Sequence, residues 1–212
     1  MTQFEAFILI GGRSSRLGRN KALVELGGAT LAARAAEVVR RGSCPQRITM
    51  VAGSSLQFAI DSIVSDVPFI FDLYEGRGPL GGLQAALAYA RTPWIFVIAC
   101  DYPFVGPELI GLLAGKISKD AGVVMPEQKD GGLQPLCAFY KVETASPIVE
   151  EVLERPRVTP PLQQVAALMN PSIVRFEDYA HLPGADEFFI NVNTPGDLEL
   201  AIEKAGKLQA SE

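Results

Sequence analysis

Short apolar segments alternate with amphipathic segments along this chain, and the alternation predicts an α/β fold with helices on both faces of a mostly parallel sheet. Two further observations favour a three-layer α/β/α sandwich. The 212 residues are 48% hydrophobic and 20% charged, an ordinary composition for a globular protein with a sizeable core. Glycine-rich and polar motifs follow several apolar segments, where the carboxyl ends of parallel strands form ligand sites.

Seven apolar segments predict the strands of the sheet. They are short and rich in β-branched or aromatic residues, and turn-forming residues bound most of them. The predicted strands are residues 7–10, 47–52, 68–72, 94–100, 122–126, 136–140 and 172–176.

Six amphipathic segments predict the helices. Most begin with Pro, which is favoured in the first helical turn, and Thr30 is a predicted N-cap. The predicted helices begin near Thr30, Gly82, Pro107, Pro147, Pro161 and Pro195.

Charge and cysteine content narrow the function class. The net charge of −5 argues against a protein that binds nucleic acids or anionic membranes in general. The three cysteines form no C-x-x-C pair, which argues against a disulfide framework and a zinc site. No apolar run approaches the roughly 20 residues of a membrane span, and the first residues lack the basic start of a signal peptide. We therefore expect a soluble cytoplasmic protein.

The first motif is the loop that follows the first predicted strand. The strand ends on Gly11 and Gly12, and a polar loop with Ser14 and Arg16 leads to Lys21. Backbone N–H groups freed by the glycines, together with hydroxyls and cations, predict a cradle for a polyphosphate. The spacing matches neither the Walker phosphate loop nor G-x-G-x-x-G. A glycine turn followed by a solvated basic loop is the alternative.

The second motif places Asp101 directly after the strand 94–100 and two residues before Pro103. A carboxylate beside a polyphosphate loop predicts a Mg²⁺ ligand, because Mg²⁺ binds one or two carboxylates together with substrate phosphates. A helix cap or turn is the alternative role of Asp101. Cys100 has no histidine near it in sequence and is expected to be a structural thiol.

The third motif places Asp72 after a strand, ahead of a glycine-rich loop that includes Gly81 and runs into a helix. A carboxylate can accept two hydrogen bonds from the edge of guanine, and adenine lacks that pair of donors. Asp72 is therefore a candidate reader of the base, and an ordinary surface turn is the alternative.

The fourth motif is FFINVNTPGDL, residues 188–198. Asn191 and Asn193 lie on the same side of an extended segment, so both can serve one site, with Asn193 near the metal. Thr194 as an ordinary helix N-cap explains part of the pattern without any function.

Together the motifs resemble the molybdenum cofactor guanylyltransferase family, which belongs to the nucleotidyltransferases with a glycosyltransferase-A-like Rossmann fold of the nucleotide-diphospho-sugar transferase type. The resemblance extends over nearly the whole chain in motif order. It rests on GGRSSRLGRNK, GPLGG, CDYP, PLCAFY and NVNTPGDL. The last of these motifs is the most specific.

The resemblance implies roles for individual residues. Lys21 is expected to contact the phosphates, Asp72 to bind guanine and Asp101 to hold Mg²⁺, with Asn193 as a second metal ligand. Lys21 and Arg16 are expected to stabilise the departing pyrophosphate. The remaining nucleotide-binding residues are expected to be Leu9, Ile10, Gly11, Gly12, Ser14 and Gly81. The expected acceptor-binding residues rest on the placement of the motifs alone and not on the resemblance; they are Gln134, Arg155, Arg157, Asn191 and Asn193.

The implied reaction transfers GMP from GTP to the terminal phosphate of the molybdenum cofactor and releases pyrophosphate. We expect one nucleotidyltransferase domain over residues 1–212, with a nucleotide-binding half (1–126) and an acceptor-binding half (127–212). Transient contact with proteins that deliver or accept the cofactor is left open. Two alternatives also stay open: a cytidylyl- or other nucleotidylyltransferase with a different acceptor, and a non-catalytic nucleotide-binding domain.

Overall fold

A computed structural model of the chain describes residues 3–10, 20–53, 66–74, 76–155 and 159–209. Residues 11–19, which form most of the predicted phosphate loop, lie outside the described residues. Predicted site residues Gly11, Gly12, Ser14, Arg16 and Arg157 are among those not described.

The centre of the fold is a seven-stranded sheet with the order β5-β4-β1-β6-β8-β7-β9. Its strands are β1 (Phe4–Leu9), β4 (Ile48–Ala52), β5 (Phe69–Phe71), β6 (Trp94–Ala99), β7 (Val123–Pro126), β8 (Cys137–Lys141) and β9 (Pro171–Val174). β8 is antiparallel to both of its neighbours, and the other pairings are parallel. All seven predicted strands are present, and the mostly parallel sheet is confirmed.

Both faces of the sheet are buried. In β1, Phe4 and Ile8 belong to the hydrophobic cluster on one face, and Phe7 and Leu9 belong to the cluster on the other. Helices α1 (Leu31–Ser43) and α3 (Pro107–Gly115) contribute to the first cluster. Helices α2 (Pro79–Tyr89), α4 (Val142–Glu154) and α5 (Leu162–Ala167) contribute to the second. Alternate side chains of each strand point to opposite faces, so the two clusters make the three layers that the sequence predicts.

Most predicted helix starts are confirmed. The hydroxyl of Thr30 accepts a hydrogen bond of 3.2 Å from the backbone N–H of Ala33 and caps α1. Helix α3 begins at Pro107, and the last helix, α7 (Pro195–Gln209), begins at Pro195. The short helix α6 covers Phe176–Tyr179.

Two predicted helix starts are wrong. Helix α2 begins at Pro79 instead of Gly82, because Gly78 adopts a φ of +59° that lets the chain turn into the helix three residues earlier. Helix α4 begins at Val142 and contains Pro147 in its interior. Ala145 is fully buried in the helix-covered core, so tertiary packing extends the helix ahead of the proline.

A small ribbon and the last helix form a third cluster beside the main core. The ribbon pairs β2 (Glu25–Leu26) with β3 (Ala29–Thr30). Leu26 from the ribbon and Val192, ahead of α7, are fully buried in this cluster. The cluster therefore joins residues near the start of the chain to residues near its end. Among the helices of the described residues, none is long and apolar enough to cross a membrane.

Candidate active site

The carboxyl end of β6 carries Asp101 and lies between two other segments of the predicted site. The backbone N–H of Cys100 donates to the carbonyl oxygen of Leu9, at the end of β1, over 3.1 Å. The backbone N–H of Val192 donates to the carbonyl oxygen of Asp101 over 3.2 Å. These bonds hold the first and the last predicted motifs against Asp101.

Three predicted site residues meet at this point. The ammonium of Lys21 lies 3.0 Å from Oδ2 of Asp101 and also donates to Oδ1 of Asn193. The side chains of Lys21 and Asp101 are each 20% exposed. A partly buried cation therefore lies between a carboxylate and an amide oxygen, which strengthens both contacts relative to open water.

Local structure fixes the position of Lys21. The side chain of Asn20 accepts a hydrogen bond of 3.1 Å from the backbone N–H of Ala22, which begins a single 3₁₀ turn over Lys21–Leu23. Val24 is fully buried in the third hydrophobic cluster, which also contains Val192. The same packing thus anchors the segment of Lys21 and the segment of Asn193.

A capping box fixes the backbone around Asn193. The carboxylate of Asp197 accepts hydrogen bonds from the backbone N–H groups of Asn193 (2.9 Å) and Thr194 (2.8 Å). The hydroxyl of Thr194 accepts in return from the backbone N–H of Asp197. The bond from Asn193 is the main reason that the pKa of Asp197 is lowered. Sequence reasoning missed Asp197, although T-P-G-D has the spacing of a capping box.

The surroundings of Asp101 favour a charge-binding role over a capping role. Among the described residues, the hydrogen bond to its carboxylate comes from the Lys21 ammonium, and no backbone N–H donates to it. Burial, with a further contribution from the charge of Asp101, raises the pKa of the Cys100 thiol to about 12. Cys100 therefore stays a neutral thiol at physiological pH, which agrees with the predicted structural role.

Asp72 and Gly81 lie in close contact. Asp72 follows β5, and its backbone N–H donates to the carbonyl oxygen of Ala52 over 2.9 Å. A Cβ atom at Gly81 would stand 2.6 Å from both carboxylate oxygens of Asp72, so only glycine leaves room for this carboxylate. A Cβ atom at the neighbouring Gly82 would stand 3.3 Å from the side chain of Leu9. Thus Asp72, Gly81 and Leu9 border one region at this edge of the sheet.

A cavity of about 470 Å³ opens beside these residues. Its walls include the turn into α2, the residues Pro135 and Leu136 ahead of β8, and residues 159–163. Arg77 links two of these walls, because its guanidinium donates to the hydroxyl of Thr159 and the carbonyl oxygen of Leu153, both over 3.4 Å. The volume lies within the roughly 300–1,000 Å³ range of small-molecule sites.

Tyr102 also lines the cavity, and its hydroxyl donates to Oε1 of Gln134 over 2.8 Å. Sequence reasoning missed both Tyr102 and Arg77. Tyr102 lies within the motif CDYP and Arg77 within the glycine-rich loop, and the signal of each motif comes from its carboxylate and glycines.

Two predicted acceptor-binding residues, Arg155 and Asn191, make no contact with Lys21, Asp101 or Asn193 among the side-chain hydrogen bonds and ion pairs of the described residues. The Arg155 side chain is 68% exposed and pairs with Glu151 one turn earlier in α4. The structure therefore does not bring this side chain to Asp101. Asn191 is half-buried next to Val192, and within the described residues its side chain makes no hydrogen bond.

Comparison with known proteins identifies the family. The chain matches the MobA-like NTP transferase domain over residues 6–166. The chain belongs to this family. A probable molybdenum cofactor guanylyltransferase of Carboxydothermus hydrogenoformans is 31% identical over 201 residues, which are 94% of this chain and 95% of that protein. One from Bacillus cereus is 30% identical over 196 residues, 92% of this chain and 93% of that protein.

A solved structure with the same fold supports the assignment. It is the molybdopterin-guanine dinucleotide biosynthesis protein A of Archaeoglobus fulgidus, with a TM-score of 0.78 and 27% sequence identity. The match covers 96% of this chain and 99% of that one. As a member of the family, the present chain is a nucleotidyltransferase.

Nucleotidyltransferases of this family typically use a divalent metal. The oxygens of Asp101 and Asn193 fit a cation, because both already contact one, the ammonium of Lys21. Within the described residues, no group of three or more His, Cys, Asp or Glu side chains could hold a metal. A metal bound here would therefore need further oxygen ligands from water or substrate phosphates, as Mg²⁺ commonly does.

Proposed function

We propose that this protein transfers GMP from GTP to the terminal phosphate of the molybdenum cofactor and releases pyrophosphate. The observation that carries the proposal is the contact of Lys21 with Asp101 and Asn193 at the carboxyl edge of the sheet. The names of the relatives from Carboxydothermus and Bacillus, which span nearly the whole chain, support the choice of substrates.

Asp101 and Asn193 would hold Mg²⁺. Bound there, Mg²⁺ would neutralise charge that develops on the phosphate oxygens during transfer. The oxygens of the two residues are already directed at a cation, so their positions suit a metal once the Lys21 ammonium moves to the phosphates.

Lys21 would act on the triphosphate. The acceptor phosphate attacks the α-phosphorus of GTP, a new phosphorus–oxygen bond forms, and the bond to the β-phosphate oxygen breaks. The electron pair of the broken bond leaves with pyrophosphate. The Lys21 ammonium stabilises the negative charge of pyrophosphate by a charge-assisted hydrogen bond. The chain forms no covalent intermediate in this scheme.

We assign the guanine to the region of Asp72 and Gly81, and the acceptor to the 470 Å³ cavity. The acceptor would then contact both parts of the chain, because residues 76–80 and Tyr102 line this cavity together with residues 135–136 and 159–163. The division into a nucleotide-binding half (1–126) and an acceptor-binding half (127–212) stays a prediction. The roles of Leu9 and Ile10 beside the nucleotide, and those of Gly11, Gly12, Ser14, Arg16 and Arg157, stay predictions.

Product analysis tests the proposal. Purified protein, Mg²⁺, GTP and molybdenum cofactor should yield pyrophosphate and a guanine dinucleotide product in equal amounts. Omitting the acceptor should abolish pyrophosphate release. Formation of pyrophosphate from GTP without the acceptor would contradict the proposed reaction.

A further inference from the structure

We infer that Tyr102 contacts the acceptor in the 470 Å³ cavity and that Gln134 is a positioning residue that acts through Tyr102. The inference rests on the proposed function, which assigns the acceptor to this cavity. It changes the expectation from sequence that Gln134 binds the acceptor itself.

The location of the two residues is the first support. Tyr102 lines the cavity and directly follows Asp101, whose carboxylate contacts the Lys21 ammonium. Among the described residues, those that line the cavity include Pro135 and Leu136 but not Gln134 itself. Gln134 is half-buried next to this wall, and its carboxamide oxygen accepts from the Tyr102 hydroxyl over 2.8 Å.

The backbone of Gln134 is well anchored. Its N–H donates to the carbonyl oxygen of Pro126, at the end of β7, over 3.0 Å. Its carbonyl oxygen accepts from the N–H of Cys137, the first residue of β8, over 3.1 Å. A residue tied to two strands of the sheet gives the Tyr102 hydroxyl a fixed hydrogen-bond acceptor.

The ring of Tyr102 is held on its other side by packing. It meets the ring of Phe189 edge-to-face, with centroids 5.6 Å apart, and only 8% of Tyr102 is exposed. The edge-to-face contact and the hydrogen bond to Gln134 together hold the ring in one place.

The position of Tyr102 also separates two cavities. A second cavity, of about 660 Å³, lies between α1 and the segment after Asp101, and Tyr102 lines this one too. The hydrogen bond to Gln134 fixes the wall between them. Without it, the hydroxyl end of the ring loses this hydrogen-bond partner, although the ring still packs in the hydrophobic core, and the acceptor meets a less ordered surface.

A double-mutant cycle tests the inference. Tyr102→Phe keeps the ring and removes the hydroxyl. Gln134→Met keeps the length of the side chain and removes the oxygen that accepts the hydrogen bond. Each variant should raise the KM for the molybdenum cofactor about 3- to 10-fold, the range of one net hydrogen bond, with little change in kcat or in the KM for GTP. The double variant should be no worse than either single variant, because both remove the same bond.

Tyr179→Phe is the matched control. The Tyr179 hydroxyl also donates a hydrogen bond, to the backbone oxygen of Glu127 over 2.9 Å. Tyr179 is not among the residues that line the acceptor cavity. It should leave the KM for the acceptor unchanged. An additive double variant would show that Gln134 binds the acceptor directly and would overturn the inference. If the wild type is active and both single variants have an unchanged KM for the acceptor, the inference is overturned as well. Absence of wild-type transfer would instead reject the proposed function and the inference with it.

Discussion

The ammonium of Lys21 and the carboxylate of Asp101 lie 3.0 Å apart, although 80 positions separate the residues in the chain. Asn193, 172 positions from Lys21, accepts from the same ammonium. The protein alone therefore has a cation of its own at the oxygens that we assign to Mg²⁺. On the proposed assignment, Lys21 and the metal would compete until the triphosphate offers Lys21 new partners.

Lys21→Met should bind a divalent metal more tightly than the wild type when no nucleotide is present. The expected gain is about 30-fold, which corresponds to roughly 2 kcal/mol for removing a unit charge about 4 Å from a divalent cation in a water-like medium. Titration with Mn²⁺, followed by electron paramagnetic resonance, measures it. Lys204→Met is the matched control, because Lys204 is ion-paired with Glu187 at a similar exposure. Equal Mn²⁺ affinity of Lys21→Met and the wild type would contradict the competition.

The same Lys21→Met substitution should slow turnover. Losing one charge-assisted hydrogen bond to phosphate corresponds to a decrease in kcat/KM for GTP of about 10- to 100-fold. Steady-state kinetics at saturating acceptor provide the measurement. Wild-type kinetics in this variant would mean that Lys21 has no role in phosphate binding.

Gly81→Ala should weaken the preference for GTP over ATP. The new methyl group would meet both oxygens of Asp72 at 2.6 Å, so the carboxylate must move away from the place where we assign guanine. We expect the preference ratio to fall about 5- to 100-fold, the range for a lost buried acceptor. Gly206→Ala is the control, since a Cβ atom there meets nothing within 4 Å. An unchanged ratio in Gly81→Ala would assign base recognition to other groups.

Asp197→Asn should destabilise the protein at neutral pH and have little effect in acid. The folded-state pKa of Asp197 is lowered, chiefly by the backbone N–H of Asn193, so the stabilisation is present above the unfolded-state pKa. It is lost as the pH falls through the lowered folded-state pKa. Urea unfolding of both proteins at pH 7 and in strong acid measures the difference. A difference in unfolding free energy that persists in strong acid would mean that the carboxylate charge is not its cause.

The sequence was sufficient to predict the layers and the edge of the site. Apolar segments determine the strands, and parallel strands bring Asp72 and Asp101 to the same edge. The sequence could not predict which distant segments contact one another. The pairing of Lys21 with Asn193 depends on the third hydrophobic cluster, which brings the two segments together, and no local pattern encodes that packing. The helix start at Pro79 depends on the backbone conformation of Gly78. The hydrogen bond of Tyr102 to Gln134 depends on the pairing of β6 with β8, which brings the two residues together.

Competition between GTP and CTP for the molybdenum cofactor tests the central claim most directly. Wild-type protein is given both nucleotides at equal concentration with Mg²⁺, and the products are separated and identified by mass. Asp101→Asn, which keeps the shape of the side chain and removes its charge, serves as the inactive control. We predict that the guanine dinucleotide dominates with the wild type and that the variant forms almost no product. A product that is mainly the cytosine dinucleotide, or wild-type yields from Asp101→Asn, would contradict the account.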